Sequence, residues 1–351
     1  MTSASKVTMT DTEVRKDHHL RICLEEDIAG LDVKNGFERY RFDHDALPEV
    51  SKAEIRTEIS FFGKTLRAPL MIGAMTGGST QAGQINRILA EAAERRQIAF
   101  ALGSQRRMLE DPRSFASYDV RKIAPSVLLM GNIGAVQLNY GVGASQIQML
   151  IEKSGLDLMA FHLNPLQEAI QPEGDTNFVG LTARLQEIIP QLPCPSVLKE
   201  VGAGISAKTA CKISMLPLGA LEIAGVGGTS WAKVESFRTN NRIQAETGVQ
   251  LASWGIPTAE SLVTCRRLLP QLPLICSGGM RTGLEMAKAI ALGADLVAMA
   301  LPFLHAAQHG VDAVLARIDQ IIEELRTVMF VTGAGSISAL RTDTVIRRIG
   351  G

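Results

Sequence analysis

The chain has 351 residues, 46% of them hydrophobic, enough to bury one large core or two ordinary ones. Lys plus Arg and Asp plus Glu both number 36, which excludes a global field drawing the chain to nucleic acid or an anionic membrane; an acidic ligand must be held locally. The five cysteines (Cys23, Cys194, Cys211, Cys265 and Cys276) are odd in number and scattered without a CxxC pair, a pattern of free thiols in a reducing compartment rather than of disulfides or zinc.

The first ten residues, MTSASKVTMT, hold no continuous apolar run, and no stretch approaches the ~20 apolar residues of a membrane span. A soluble, cytoplasmic protein is expected. Residues 1–68 are charged and proline-poor and read as an arm followed by a small hairpin cap. Within them RKDHHL (15–20) sets Arg15 and Lys16 beside His18 and His19. On an arm folded over a mouth, this would clamp a diphosphate, Arg with a bidentate fork and Lys as a compact charge. Taken alone, the stretch is a solvated basic patch.

From residue 69 to 351 one phrase recurs: a short apolar run, a polar or glycine-rich turn, then a segment with helical spacing. The runs are PLMIGA (69–74), IAFALG (98–103), SVLLMGN (126–132), LDLMAFHLN (156–164), PSVLKEV (195–201), GALEIAG (219–225), LPLICSGG (272–279) and ADLVAMA (294–300). Continuous apolar runs suit strands covered on both faces. Eight of them alternating with helices predict a closed (β/α)8 TIM barrel. Ser79 and Thr80 offer side-chain oxygens to start the helix after the first run, and Thr258 does so after the sixth. Residues 227–255 are long for such a connection and polar in the middle, which predicts a mobile lid or a disordered excursion.

In this fold the active site lies at the C-terminal ends of the strands. The residues there are polar or glycine at nearly every strand. GVGGTS and SGGMR, after the sixth and seventh runs, read as tight turns or as phosphate cradles in which glycines let amides approach an anion. Lys199 sits inside a strand, where an ammonium needs an anion or an aromatic surface unless it reaches solvent. In HLNPLQE (162–168), His162 and Asn164 share one side by strand alternation. Glu168 offers a single carboxylate to a hard cation whose other ligands come from phosphate and water; alternatively His162 is a core histidine, and Gln167 and Glu168 open the next helix. Arg106, directly after the second run, faces the same mouth.

RKDHH, MTGG, GSQR, GNIGA, HLNPLQE, KEVGAGIS, GVGGTSW, SGGMRTG and DLVAMALPFL occur in register between residues 15 and 304. In this order they resemble the type 2 isopentenyl-diphosphate isomerase family, flavoenzymes that interconvert isopentenyl and dimethylallyl diphosphate. The stretch VTGAGSISALRTDTVIRR is not diagnostic. The resemblance implies FMN contacts at Ala74, Met75, Thr76, Ser104, Asn132, Lys199 and Thr229, with the phosphate at Gly278, Gly279, Met280, Arg281, Ala300 and Leu301. It implies substrate contacts at Arg15, Lys16, His19, Arg106, His162, Asn164 and Gln167, the last assisting catalysis with His162, and Mg2+ on Glu168. Further expectations are reduced FMN as acid/base with NAD(P)H as initial reductant, no net redox change, and a homo-oligomer, tetramer or octamer.

Three rivals make different demands. An FMN oxidoreductase of the 2-hydroxy-acid oxidase kind wants a histidine base near an arginine after the seventh strand, where SGGMR has no histidine. A nucleotide dehydrogenase of the inosinate type wants a cysteine in the loop after the sixth, where GVGGTSW has none. A noncatalytic flavin- or phosphate-binding module leaves HLNPLQE and the basic arm without a purpose.

Overall fold

The computed structural model describes residues 11–349; the first ten residues of the expected arm lie outside them. Eight parallel strands close into one barrel: β1 (Leu70–Ile72), β2 (Ala99–Ala101), β3 (Leu129–Gly134), β4 (Leu158–Leu163), β5 (Ser196–Glu200), β6 (Ala220–Glu222), β7 (Leu274–Cys276) and β8 (Leu296–Met299), with β8 returning to β1. Each lies within one of the eight apolar runs except β3, which continues two residues past its run to Gly134. The helices that position the site are α1 (Asp11–Glu25), α2 (Thr80–Arg96), α3 (Pro165–Ile170), α4 (Trp231–Ser236), α5 (Arg242–Gln250), α6 (Thr258–Leu268) and α7 (Gly283–Ala291). None among the described residues is long and apolar enough to cross a membrane. All five cysteines are free thiols.

Strand alternation gives the apolar runs two destinations. Met71, Ala99, Ala101, Met130, Leu158, Ala160, Val197, Ala220, Ile275, Leu296 and Ala298 fill the barrel. Their neighbours, among them Ile72, Phe100, Leu129, Phe161, Leu198 and Leu221, pack under the helices. A hairpin of Ile59–Phe61 and Lys64–Leu66 plugs the N-terminal end with Phe61 and Leu66. Its two turn residues, Phe62 and Gly63, both take positive φ (46° and 74°), the twist that a two-residue hairpin turn requires. The inward parity continues upward into polar side chains: Met130 to Asn132, Ala160 to His162, Val197 to Lys199, Ala220 to Glu222, Ile275 to Ser277. An apolar barrel therefore ends in a polar mouth.

One clamp is used twice. Arg121 donates to the carbonyls of Gly155, Ala124, Pro125 and Val127 and reaches Asp157 Oδ2 at 2.7 Å; that oxygen also accepts from the Leu129 amide at 2.8 Å. Arg266 does the same with Gly293, Leu269, Pro270, Leu272 and Asp295 (2.7 Å), which takes the Leu274 amide at 2.8 Å. The clamps pin β3 to β4 and β7 to β8, on opposite sides of the barrel. Elsewhere, Tyr40–Phe42 pairs antiparallel with Ile346–Arg348.

Two local expectations change. Residues 227–255, expected as a mobile lid or a disordered excursion, carry α4 and α5, each opened by a side-chain cap, Ser230 and Asn241. Ser79 caps α2 as its sequence position suggests, accepting from the Ala82 amide. Thr258 does not cap α6: Pro257 precedes the helix, and the Thr258 hydroxyl donates instead to the Gly278 carbonyl at 2.7 Å.

Candidate active site

Because every strand points the same way, their polar ends gather at one mouth. The cavity there encloses about 230 Å3 and is bordered by every residue to which the resemblance gives a cofactor, substrate or metal contact, from Arg15 to Leu301.

HLNPLQE owes its shape to Pro165, which fits the first turn of α3 because that position needs no N–H donor. With the helix begun there, Asn164, Gln167 and Glu168 fall on one face by three- and four-residue spacing. Asn164 Nδ2 donates to Glu168 Oε1 at 2.7 Å and to Gln167 Oε1 at 3.2 Å. Glu168 Oε2 accepts the Asp175 amide at 2.7 Å; burial nevertheless raises the Glu168 carboxyl above its ordinary range. His162 Nδ1 lies 2.7 Å from Asn132 Oδ1 on β3. Burial, with the charges of Lys199 and Lys16, pushes this imidazole down to about 3. It is neutral, with its Nδ1–H committed to Asn132 and Nε2 left as an acceptor.

The hub of the opposite wall was not read from the sequence. Glu235 on α4 is fully buried. Its Oε1 accepts from Gln167 Nε2 and from His19 Nε2, both at 2.9 Å, and Oε2 accepts from Arg238. Burial opposes its charge, but the hydrogen bonds from His19 and Gln167 and the charge of Arg238 hold the carboxyl at about 2. His19 also meets Trp231 edge to face at 5.3 Å. Ser79 donates to Asp17 at 2.5 Å, and Arg15 lies 3.6 Å from Glu173, so α1 is tethered across the mouth at three places. Arg106 is held by Asp175 at 2.6 Å and by Glu110 at 2.8 Å. Lys16 has no carboxylate partner among the described residues, and burial followed by the charge of Arg15 lowers its ammonium to about 8.

Lys199 meets its anion within the barrel. Its ammonium lies 3.5 Å from Glu222 Oε1 on the neighbouring strand and donates to the Glu200 carbonyl at 2.8 Å. Ser277 donates to the same Glu222 oxygen at 2.8 Å. Glu222, like Glu235, escaped the sequence reading: it sits inside the apolar run GALEIAG with no local pattern to mark it.

The two glycine turns form one cradle. Gly278 and Gly279 take φ of 100° and 72°, and a Cβ on Gly279 would lie 2.2 Å from the Gly227 carbonyl oxygen, so the loops after β6 and β7 touch backbone to backbone. Among the described residues, none accepts a hydrogen bond from the amides of Gly228, Gly278, Gly279 or Met280. The Arg281 amide is different: it donates to Glu285 Oε2 at 2.8 Å. Thr76 Oγ1, Asn164 Oδ1 and Glu222 Oε2 are likewise buried without a partner. Leaving so many polar groups unmatched is costly unless a ligand or water meets them. Free amides at paired glycines fit a phosphate, and the orphaned oxygens along the wall fit the polar edge of a ring. No group of three His, Cys, Asp or Glu side chains among the described residues could hold a metal, so a cation at Glu168 would need most of its ligands from elsewhere.

Residues 21–114 and 248–347 match the FMN-dependent dehydrogenase family. The chain is 46% identical to the isopentenyl-diphosphate delta-isomerase of Nostoc sp. over 96% of its own length and 97% of that relative. It is 47% identical to that of Synechococcus sp. over 95% and 96% of the two chains. The Deinococcus radiodurans relative of the same name is 42% identical over 96% and 99%. The chain belongs to the type 2, FMN-dependent isopentenyl-diphosphate delta-isomerase family. It is an isomerase. A mandelate oxidase variant bound to 2-hydroxy-phenylacetamide superposes with a TM-score of 0.64 at 16% identity, over 96% of this chain and 98% of that one. A flavocytochrome b2 variant with benzoylformate gives 0.65 at 16%, over 90% and 77%. At that identity the likeness shows the fold alone, so the isomerase family sits on a barrel shared with flavin oxidases.

Proposed function

We propose that this protein interconverts isopentenyl diphosphate and dimethylallyl diphosphate by a 1,3-allylic proton shift with FMN and Mg2+ bound. The observation that carries the reading is a cavity with two anion sites. One is the cradle of free amides at Gly228 and Gly278–Met280, suited to the FMN phosphate. The other is the cation group of α1 and of the short helix after β2, Arg15, Lys16 and Arg106, suited to a diphosphate. Thr76, Ser104, Asn132 and Lys199 lie between them, where the flavin ring would rest. When bound and reduced, with NAD(P)H as the initial reductant, FMN supplies the acid and base of the shift without net redox change.

The chain's own groups bind and orient. Lys16, Arg15, Arg106 and His19 hold the diphosphate, and Glu168 offers Mg2+ one carboxylate while phosphate oxygens and water complete its shell. Gln167, fixed at both ends by Glu235 and Asn164, orients the five-carbon skeleton. Neutral His162 presents Nε2 as a hydrogen-bond acceptor beside it. The α1 helix covers the mouth and excludes water. Exposed apolar side chains in segments flanking the mouth, Leu31, Phe237, Ile243 and Trp254, support a homo-oligomer, which light scattering would size.

The test is an anaerobic reaction of pre-reduced, FMN-loaded protein with isopentenyl diphosphate in D2O. Deuterium in the dimethylallyl product is the expected result. Unlabelled product, or no product, rejects the reading, and steady NAD(P)H or O2 consumption would favour a 2-hydroxy-acid oxidase.

A further inference from the structure

Two side chains outside the cavity lining hold carbonyls of the glycine cradle, with Arg281 Nη1 also donating to that of Gly279 at 3.0 Å. Thr258 Oγ1 donates to the Gly278 carbonyl at 2.7 Å, and Asn35 Nδ2 donates to the Gly279 carbonyl at 3.0 Å. Neither residue borders the cavity. A trans peptide sends its N–H opposite to its C=O, so fixing these two carbonyls fixes the direction of the next amides, those of Gly279 and Met280.

Asn35 is committed at both polar atoms of its side chain and at its carbonyl. It is 6% exposed; its amide also donates to Glu285 Oε1 at 2.6 Å, and its side-chain oxygen accepts from the Phe37 amide at 3.1 Å. Its own carbonyl accepts from the Ala259 amide at 2.9 Å. A Cβ on Gly227 would lie 2.4 Å from the Asn35 backbone, so Asn35 touches both glycine loops at once. The segment around it is fastened to the first of those loops as well. Ser230 donates from its amide to the Ile28 carbonyl at 2.8 Å, Ala29 bridges Thr229, and Lys233 donates to the Ala29 carbonyl at 3.0 Å. This segment is the root of α1, which carries Arg15, Lys16 and His19.

We propose that Asn35 and Thr258 are positioning residues for the flavin phosphate, aiming the Gly279 and Met280 amides, and that Asn35 links docking of residues 27–37 to cofactor binding. The proposal rests on the FMN reading above. Linkage makes the effect reciprocal: a phosphate that holds the cradle also holds the segment braced against it.

Full-length apo-protein titrated with FMN and, separately, with riboflavin, each followed by flavin fluorescence, separates the phosphate from the ring. Asn35→Asp keeps the side-chain shape, removes both donors and sets a carboxylate against Glu285. It should weaken FMN by at least about tenfold and riboflavin by less than about threefold. Thr258→Val should act in the same direction, and carries the test if the Asn35 variant does not fold. Equal loss for both ligands would mean a merely structural role, and unchanged FMN affinity in either variant would overturn the aiming role. Hydrogen exchange of residues 27–37 should slow more with FMN than with riboflavin; equal protection sinks the linkage. Isomerase activity of the unaltered protein is assayed alongside, so failure of the isomerase reading is told apart from failure here.

Discussion

An ammonium lowered to about 8 is charged at neutral pH and loses its charge just above it. Lys16 is therefore expected to set the alkaline limb of kcat/KM, which reports the free protein. The value should fall as pH rises through about 8, and Lys16→Arg, charged throughout this range, should carry the limb upward; an unmoved limb would place the titration elsewhere. Glu235 works through others, holding Gln167 and His19 from one oxygen. Glu235→Gln should cut kcat/KM by at least about tenfold while leaving FMN affinity as it was, measured by the same flavin fluorescence. The sequence announced Lys16 because it sits in RKDHH. It concealed Glu235, which stands 68 residues from Gln167 in a polar stretch where one more carboxylate carries no pattern.

Strands β5 and β6 bring Lys199 and Glu222 together at the base of the mouth. Removing one partner of a buried pair leaves an uncompensated charge, a loss of about 3 kcal/mol, whereas replacing both by apolar groups restores much of it. Lys199→Met should lower urea stability by that amount, and Lys199→Met with Glu222→Leu should recover most of it; additive losses would mean the two groups do not interact. Gly279→Ala meets a positive φ and the Gly227 carbonyl at 2.2 Å together. It should cost about 2 kcal/mol or more and release flavin, both visible in a thermal melt followed by flavin fluorescence. At this scale the strands were legible because burial on both faces makes them continuously apolar. The helices of residues 227–255 were not, because α5 buries only Gly248 and so has no apolar stripe to show.

Across the whole barrel, Arg121 and Arg266 solve one problem at opposite sides. Their side chains are both 24% exposed and reach aspartates of 26% and 25%, so the two clamps are equivalent in environment as well as in partners. Arg121→Met and Arg266→Met should each cost about 2 kcal/mol, and, lying on opposite walls, should add in the double variant; a marked departure from additivity in chemical unfolding would show that the halves communicate. The barrel itself was readable from the eight-fold phrase. The repeated GLDLMA and GADLVA that begin the fourth and eighth strands were equally visible, but their meaning lies in contacts with arginines 36 and 29 residues away, beyond any local window.

The strand at 40–42 and its partner at 346–348 leave the ribosome roughly 300 residues apart, and domains acquire their long-range contacts as the chain emerges. The early strand, a few residues beyond Asn35, stays unmatched until residues 346–348 have been made. Its hydrogen-bonded seam can close only after all eight barrel strands have been made, so a fragment that stops at the eighth strand lacks the tie that lies just beyond Asn35.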